Sequence, residues 1–269
     1  MTETDYYGSP DQQATGRKAE ALWRLLRQDD CFGTHGRSVG VRGDAEDALA
    51  LHLALTRLLG VSACDHLPID RAEEHIRACD EEGLKTDRFE VWESTAQSLD
   101  LARSIVEQRP LPQAVSVTHV DRHTPAEDLR ALSRMMADSG GVLLPNSRVM
   151  RGIDAKSVCL FARDGEGRPV ASSAAVAMFH PSTPVGGAAW WGMLSTAEHR
   201  RGEGLALTMG SLSMLAMNRG HGFTRFFTGI REGNDASERL CAKLGLVRQP
   251  LCVVIAIDPT AFGAGRLTK

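Results

Sequence analysis

The sequence predicts an α/β protein in two parts, a mainly helical first part over residues 1–112 and a second part of mixed strands and helices over residues 113–269. The length of 269 residues exceeds one domain of about 150 residues. Apolar residues recur at helical spacing in the first part, whereas strand and helix patterns alternate in the second. The segment RPLPQA, with Pro110 and Pro112, separates the parts because proline neither continues a helix nor joins a central strand.

Four helices and one strand are predicted in the first part. Apolar periodicity and terminal signals place the helices at residues 19–26, 45–59, 70–82 and 95–109. Asp70 and Glu73, for example, form a capping-box pattern in which each side chain satisfies a free backbone donor. Phe89, Val91 and Trp92 mark the strand. These residues predict packing, and we expect no chemistry in the first part.

Strands and helices alternate in the second part. The segment TPAE at Thr124 opens a helix with a cap, a first-turn proline and a reciprocal acid. The turn DGEGR joins two strands of a hairpin. Further helices follow residues 204 and 234. The predicted strands are residues 115–120, 157–163, 170–179, 188–196, 223–230 and 251–257.

Composition excludes several classes of protein. Net charge of -3 argues against a nucleic-acid partner, which usually leaves a basic footprint. No apolar run approaches the ~18 residues of a membrane span. The 6 cysteines stand singly, so neither a disulfide framework nor a metal site is predicted. The amino-terminal tail lacks the basic and apolar blocks of a secretory signal, and we expect a cytoplasmic protein.

The stretch from Trp190 to Gly220 carries the chemical signal. A predicted strand leads into the loop RGEGLA and then into a helix. Helix N-termini have unpaired backbone N–H groups and a positive potential, so they bind anions. Gly202 and Gly204 lack the Cβ atoms that would block a diphosphate, and Arg201 adds a positive charge. The loop therefore predicts an anion site.

Two spaced motifs in this part resemble those of the GNAT superfamily of acyl-coenzyme A N-acyltransferases. The loop RGEGLA fits the pattern Q/R-x-x-G-x-G/A. The segment NDASERLCAKLGL fits the second pattern, N-x-x-A/S-x-x-L-Y-x-x-x-G-F, at Asn234, Ser237, Leu240 and Gly245. The order of strands and helices from Val115 onward follows the same superfamily. The resemblance covers the second part and implies a mixed, mostly antiparallel, splayed sheet flanked by helices.

The resemblance also implies a place for acetyl-coenzyme A, between the strand that ends near Thr196 and the strand that starts near Phe223. The backbone of Leu194 and Thr196 would pair with the pantetheine arm, and amides of the glycine loop would hold the diphosphate. Substrate would enter from the opposite side, over the early helices. The residues expected to contact the cofactor are Met193, Leu194, Ser195, Thr196, Arg201, Gly202, Glu203, Gly204, Leu205, Ala206, Asn234 and Ser237.

Catalytic groups are harder to assign, because the sequence departs from the superfamily. Cys241 stands at the tyrosine position of the second motif and Leu246 at its phenylalanine. Cys241 is the candidate proton donor for the departing thiol, with water as an alternative. Glu198 is the candidate base. Glu232 and His180 are alternatives, although surface carboxylates and loop histidines are commonly solvated groups.

The resemblance thus implies a transferase that moves an acetyl group from acetyl-coenzyme A to an amine by direct attack in a ternary complex. A backbone N–H near Met193 or Leu194 would polarise the thioester carbonyl. The alternative is a sensor or interaction domain of the same fold that binds an acyl-coenzyme A without turnover. A nucleotide-binding protein is disfavoured because the loop GxxxxGK[ST] is absent. The identity of the acceptor, and whether the protein forms a homodimer, stay open.

Overall fold

The structure is a computed structural model and describes residues 4–140 and 143–262. Within those ranges no helix combines the length and the apolar character that crossing a bilayer requires. The helices are α1 (Pro10–Leu26), α2 (Ala48–Leu59), α3 (Ala72–Glu81), α4 (Ser98–Gln108), α5 (Ala126–Asp138), α6 (Ser147–Met150), α7 (Leu205–His221), α8 (Asp235–Lys243) and α9 (Pro259–Phe262).

One mixed sheet contains the strands of both parts of the chain. Its order is β1-β2-β3-β10-β4-β9-β8-β7-β6-β5. The pairs β2/β3 and β8/β9 are parallel, whereas the remaining neighbours are antiparallel. The strands are β1 (Phe32–Thr34), β2 (Val39–Arg42), β3 (Val61–Pro68), β4 (Lys85–Ser94), β5 (Ser116–His119), β6 (Ser157–Arg163), β7 (Pro169–Val176), β8 (Ala188–Thr196), β9 (Arg225–Arg231) and β10 (Leu246–Ile257).

Apolar side chains pack on this sheet in two large clusters. One joins α5 and α7 to β6, β7 and β8, with Trp191 and Phe161 fully buried at its centre. The other joins α1 and α2 to β2, β3 and β10, through residues such as Val41, Leu55 and Val254. The prediction of a mixed sheet flanked by helices is confirmed.

The first part contains more strand than predicted, since β1, β2 and β3 join β4 in the sheet. β1 and β2 have three and four residues, too few to display an alternating pattern. β3 is buried along nearly its whole length, so its sequence does not alternate either. β4 lies between β9 and β10 of the second part. The boundary near Pro112 therefore divides the chain but not the sheet, and independent domains stay a prediction.

Two predicted helix caps do not form. Asp70 lies in a 3₁₀ turn, and α3 begins after Arg71 without a side-chain cap. Pro125 precedes α5, where Thr124 was expected as the cap. The Thr124 hydroxyl instead accepts from the backbone N–H of Asp121 at 2.9 Å. At Thr124 a local turn uses the polar side chain that the cap would need.

Candidate functional site

The sheet opens between β8 and β9. The two strands pair from Ala188/Arg225 to Trp190/Phe227. β8 then continues to Thr196 along β7, and β9 continues to Arg231 along β4. Among the described residues, the edge of β8 that faces β9 has no strand partner past Trp190. A cleft with a free strand edge therefore lies where the sequence predicts the cofactor.

An irregularity in β8 lies at the mouth of this cleft. Met193 has a φ of 54°, which is uncommon for a residue with a side chain and strained. The register between β7 and β8 shifts here, as in a β-bulge, which redirects local backbone groups. The Ser172 hydroxyl donates to the Met193 carbonyl at 2.7 Å. This hydrogen bond fixes the strained conformation beside the opening.

The glycine loop leads from β8 into α7 with the geometry of an anion site. Gly202 and Gly204 have φ values of 85° and 79°, a backbone conformation that favours glycine. A Cβ on Gly202 would meet no atom within 4 Å, so the space beside the loop is open. α7 begins at Leu205 without a side-chain cap and without an acid in its first turn. The first N–H groups of the helix are therefore available to a bound anion.

Charged side chains around the loop are arranged favourably for an anion. Arg200 holds Glu203 through two hydrogen bonds of 2.6 and 2.7 Å, so the acid inside the loop is neutralised. This contact lowers the pKa of Glu203. Arg201 is half exposed and donates to the Ser139 carbonyl at 2.9 Å. Nη1 of Arg109 lies 3.7 Å from the position of a Cβ on Gly204. A role for Arg109 at this loop was not predicted, because the residue belongs to the first part, where no chemistry was expected.

A cavity of about 270 Å³ occupies the opening. β8 and β9 form two of its walls, and the first residues of α8 close another side. Several of the predicted residues line it: Met193, Leu194, Asn234, Ser237 and Cys241. Its remaining wall comes from the first part, with His35, Arg37, Ala63, Asp65 and Phe89. The expectation that the first part supplies packing alone therefore does not hold at this cavity.

The second motif corresponds to the start of α8. Asn234 precedes the helix and its side chain accepts from the backbone N–H of Ser237 at 3.3 Å. The spacing of these two residues is thus that of a helix cap, and both also line the cavity. On β8, Ser195 is buried, and the buried hydroxyl of Thr196 has no hydrogen-bond partner among the described residues. An unpaired hydroxyl on a free strand edge fits a polar ligand there.

The candidate catalytic residues differ in their positions. Cys241 lines the cavity, and burial raises its pKa to about 12. Its thiol therefore holds a proton more strongly than an ordinary thiol with a pKa near ~8.5. Glu198 is 84% exposed and lies 3.9 Å from Arg201, outside the residues that line the cavity. Glu232 is exposed, and His180 contacts Ser182 on a surface turn at 2.7 Å.

Two buried charged residues were missed by the sequence reasoning. Arg37 and Asp65 are 6% and 5% exposed. Nε and Nη2 of Arg37 and Oδ2 of Asp65 have no hydrogen-bond partner among the described residues. Burial lowers the pKa of Arg37 to about 9 and raises that of Asp65 to about 7. The sequence offered one signal for each residue: a charged side chain in a short, mostly apolar segment, Arg37 in RSVGV and Asp65 in SACDHL.

The two adjacent tryptophans of β8 have different surroundings. Trp191 is fully buried, and its indole N–H contacts the Gly210 carbonyl at 3.1 Å. Trp190 lies under Arg37, with the guanidinium carbon 5.1 Å from the ring centroid. One ring therefore packs in the core and the other faces the cavity.

His52, His75 and Cys79 form a buried group away from this cavity whose donor atoms lie within 4.8 Å of one another. Nδ1 of His52 and Nε2 of His75 are 2.8 Å apart. Two ligands of a tetrahedral zinc would be about 3.4 Å apart, because Zn–N distances are about 2.1 Å. The two rings are therefore hydrogen-bonded to each other. Burial lowers the pKa of His52 to about 4, which keeps its ring neutral.

Comparisons with known proteins agree on the fold. No protein-family model matches the chain, and no curated protein matches its sequence. Solved structures do match. A GCN5-related N-acetyltransferase from Kribbella flavida is 17% identical, with a TM-score of 0.54 over 91% of this chain and 95% of that one. A tandem GNAT protein from the clavulanic acid biosynthesis pathway is 14% identical, with a TM-score of 0.53 over 81% and 74%.

A third match supports the same assignment. A GCN5-related N-acetyltransferase-like protein from Streptococcus suis is 15% identical, with a TM-score of 0.51 over 84% of this chain and 81% of that one. The chain has the fold of the GCN5-related N-acetyltransferases, and the resemblance drawn from the two motifs is confirmed at the level of the fold. Because the matches cover most of this chain, the likeness extends over both parts.

Proposed function

We propose that the protein is an N-acyltransferase that moves an acetyl group from acetyl-coenzyme A to an amine by direct attack. One observation carries the proposal. The sheet splits between β8 and β9, and an uncapped helix N-terminus with a glycine loop stands beside the split. This combination offers an anion site next to a free strand edge, and an acyl-coenzyme A has a diphosphate next to an arm with amide groups.

The proposed contacts follow from these features. The diphosphate is bound by the backbone N–H groups from Gly202 to Ala206, with Arg201 and Arg109 adding positive charge. The pantetheine arm lies along Leu194, Ser195 and Thr196. Asn234 and Ser237 contact the cofactor from the opposite wall, which they line in the structure. Glu203 does not repel the diphosphate, because Arg200 holds its carboxylate.

Acetyl-coenzyme A supplies an activated acyl group as a thioester. At the bulge of β8, the backbone N–H of Met193 or Leu194 polarises the thioester carbonyl. A thiol with a raised pKa is a weak acid, so we assign Cys241 to packing and assign water the role of proton donor to the leaving thiol. Glu198 is assigned to the surface ion pair with Arg201, since it does not line the cavity.

Coenzyme binding and turnover test the proposal separately. Calorimetry with acetyl-coenzyme A measures binding, and thiol release in the presence of amines measures turnover. Gly204→Trp should abolish binding because it fills the loop and forces a side chain onto a residue with a φ of 79°. Gly83→Trp is the matched control, since Gly83 has a φ of 72° in open space far from the loop.

Three outcomes decide between the candidate functions. Binding with thiol release supports the transferase. Binding without release on any amine, in a correctly folded protein, would favour the sensor instead. If the wild-type protein binds no acetyl-coenzyme A, or if Gly204→Trp binds it as tightly as Gly83→Trp does, the assignment of the loop is wrong.

A further inference from the structure

Two opposite charges face the cavity without partners. Arg37 and Asp65 are both more than nine-tenths buried and both line it, yet they form no ion pair with each other in the described part of the chain. Arg231, which also lines the cavity, is already paired with Asp87. Burying an unpaired charge is unfavourable. A ligand that supplies both missing partners would recover that cost.

The edge of Arg37 formed by Nε and Nη2 has the shape that binds a carboxylate. Nε and Nη2 both lack partners, and together they form one side of the guanidinium fork. In the same protein, Arg200 uses Nε and Nη2 to hold the carboxylate of Glu203. Such bidentate contacts combine charge with geometry. Trp190 packs on the face of Arg37, so a carboxylate would approach its edge, where Nε and Nη2 are buried and unpaired.

His35 does not compete for this role. Its ring lies 5.3 Å from that of Trp190, beside the same cavity. Burial and the neighbouring Arg37 hold the pKa of His35 well below its usual value. The histidine is therefore neutral, and Arg37 supplies the positive charge at this end of the cavity.

Asp65 is placed to accept a proton. It precedes a bulge of β3, where His66 has a φ of 56° and the register with β10 shifts. A Cβ on Gly40 would lie 3.0 Å from Oδ2 of Asp65, so that glycine leaves room for the carboxylate. Burial gives the carboxyl a pKa of about 7. A base with such a pKa is largely ionised at slightly alkaline pH and can still accept a proton.

We infer that the acceptor is a small amine that also carries a carboxylate, an amino-acid-like molecule. Its carboxylate binds the Nε and Nη2 edge of Arg37, and its ammonium group lies beside Asp65. The cavity of about 270 Å³ is slightly smaller than the ~300–1,000 Å³ typical of ligand sites, which suits a small molecule. This inference rests on the proposed function, because it identifies the acceptor of that same reaction.

The proton and bond changes balance. The ammonium gives one proton to the Asp65 carboxylate and becomes a neutral amine. The amine nitrogen bonds to the acetyl carbon, and the carbon–sulfur bond breaks. The second nitrogen proton reaches the departing sulfur through water, which yields the amide and the free coenzyme thiol. Asp65 then returns its proton to solvent, so the reaction releases one proton overall.

Matched acceptors test the inference on the wild-type protein. Thiol release is measured with a panel of α-, β- and γ-amino acids, each beside its carboxamide and beside the amine that lacks the carboxyl group. For the accepted chain length, kcat/KM should be about 10²-fold higher for the amino acid, because two charge-assisted hydrogen bonds are lost without it. Equal or better turnover of the amines lacking a carboxylate would overturn the inference while leaving the transferase proposal intact.

Variants of Arg37 localise the effect. Arg37→Gln should raise KM for the amino acid and remove the preference over the carboxamide. Arg37→Lys, which keeps the charge but not the fork, should restore only part of the preference. Arg24→Gln, on the exposed face of α1, is the control. Unchanged acetyl-coenzyme A binding by calorimetry shows that a variant is folded. A folded Arg37→Gln that keeps the wild-type preference would overturn the inference.

Discussion

Two units of the molecule have the same order of strands and helices, but their parallel strands stop pairing at different places. The first unit is β2, α2, β3, α3 and β4, and the second unit is β8, α7, β9, α8 and β10. In each, a helix connects two parallel strands, and a second helix leads to a third strand. The third strand of each unit pairs with a strand of the other unit: β4 pairs with β9, and β10 pairs with β3. The sheet is thereby arranged around a pseudo-twofold relation between the units.

The parallel strands of the first unit stay together up to the loop. β2 pairs with β3 at Val41 and Arg42, its last two residues. Gly43 follows, and its N–H donates to the Asp65 carbonyl at 2.6 Å. A Cβ on Gly43 would lie 2.4 Å from Cα of Leu67, so the backbones are in close contact. No opening comparable to the one in the second unit exists at this place.

The parallel strands of the second unit, β8 and β9, separate long before the loop that follows β8. β8 pairs with β9 only through Ala188, Ala189 and Trp190, the first residues of the strand. Loop chemistry differs as well, because DAED precedes α2 whereas RRGEG precedes α7. Acids before a helix N-terminus disfavour a bound anion, and glycines with arginines favour one. The same topology therefore has the features of an anion site only where the pairing ends early and the loop lacks unpaired acids.

The largest effect is expected at Asp65, where the closed unit meets the cavity of the open one. Asp65→Asn should lower kcat/KM by about 10²–10⁴-fold, the usual contribution of a general base. In the wild-type protein, kcat/KM should fall as the pH drops below about 7, since burial raises the pKa of Asp65 to about 7 and protonation removes the base. The variant should lack this decline. Asp100→Asn on α4 is the control.

Stability provides the check that Asp65→Asn folds. Burial raises the pKa of Asp65 from 3.8 to about 7, so the folded state binds more protons than the unfolded state between these values. The free energy of unfolding contributed by this group therefore falls as the pH rises through that range. At pH 8 the asparagine variant should unfold at a higher temperature than the wild type. A lower temperature together with lost activity would point to misfolding.

A pair of glycine variants separates the two units. Gly43→Ala should destabilise the protein by about 2 kcal/mol through overpacking against Leu67, with acetyl-coenzyme A binding unchanged. Gly202→Ala should lower the stability by about 1 kcal/mol, because the positive φ of this residue disfavours a side chain. It should also weaken the binding of acetyl-coenzyme A. Denaturant unfolding and calorimetry measure the two effects. If Gly43→Ala weakened coenzyme binding and Gly202→Ala did not, the proposal that only the second unit has an open end would be wrong.

Sequence patterns predicted the second unit better than the first for a physical reason. In the second unit, the loop RGEGLA and the cap Asn234 are local features that a short segment determines by itself. The sequence therefore indicated the opening, the helix N-terminus and five of the cavity-lining residues of that unit, Met193, Leu194, Asn234, Ser237 and Cys241. In the first part of the chain, β1 and β2 are too short to show a period, and β3 is buried along nearly its whole length.

Pairing between distant segments could not be predicted. The insertion of β4 between β9 and β10 depends on contacts that no local pattern records. Arg37 and Asp65 approach the cavity through this arrangement, and Arg109 approaches the glycine loop through the packing of α4 on α7. Arg37, Asp65 and Arg109 belong to the first part, and their positions near the cavity and the loop depend on tertiary structure and not on their neighbours in the sequence.

Arg109 tests whether the first part contributes to the diphosphate site. Its guanidinium lies beside Gly204. Arg109→Gln should weaken the binding of acetyl-coenzyme A by about tenfold, because one charge-assisted contact is lost. The difference should shrink at high salt, since an exposed charge is screened. Arg103→Gln, on the exposed face of the same helix, is the control. Equal effects of the two variants would mean that Arg109 makes no contact with the diphosphate.

The smallest effect is expected at Glu203, the acid in the open unit's loop. Arg200 pairs with its carboxylate, so Glu203→Gln removes a negative charge and frees a guanidinium beside the diphosphate. Acetyl-coenzyme A should bind about two- to threefold more tightly, with a larger gain at low ionic strength. Arg200→Gln should have the opposite effect, because it leaves the acid unpaired next to the anion. Weaker binding by Glu203→Gln would show that the pair acts by holding the loop's shape and not through its charge.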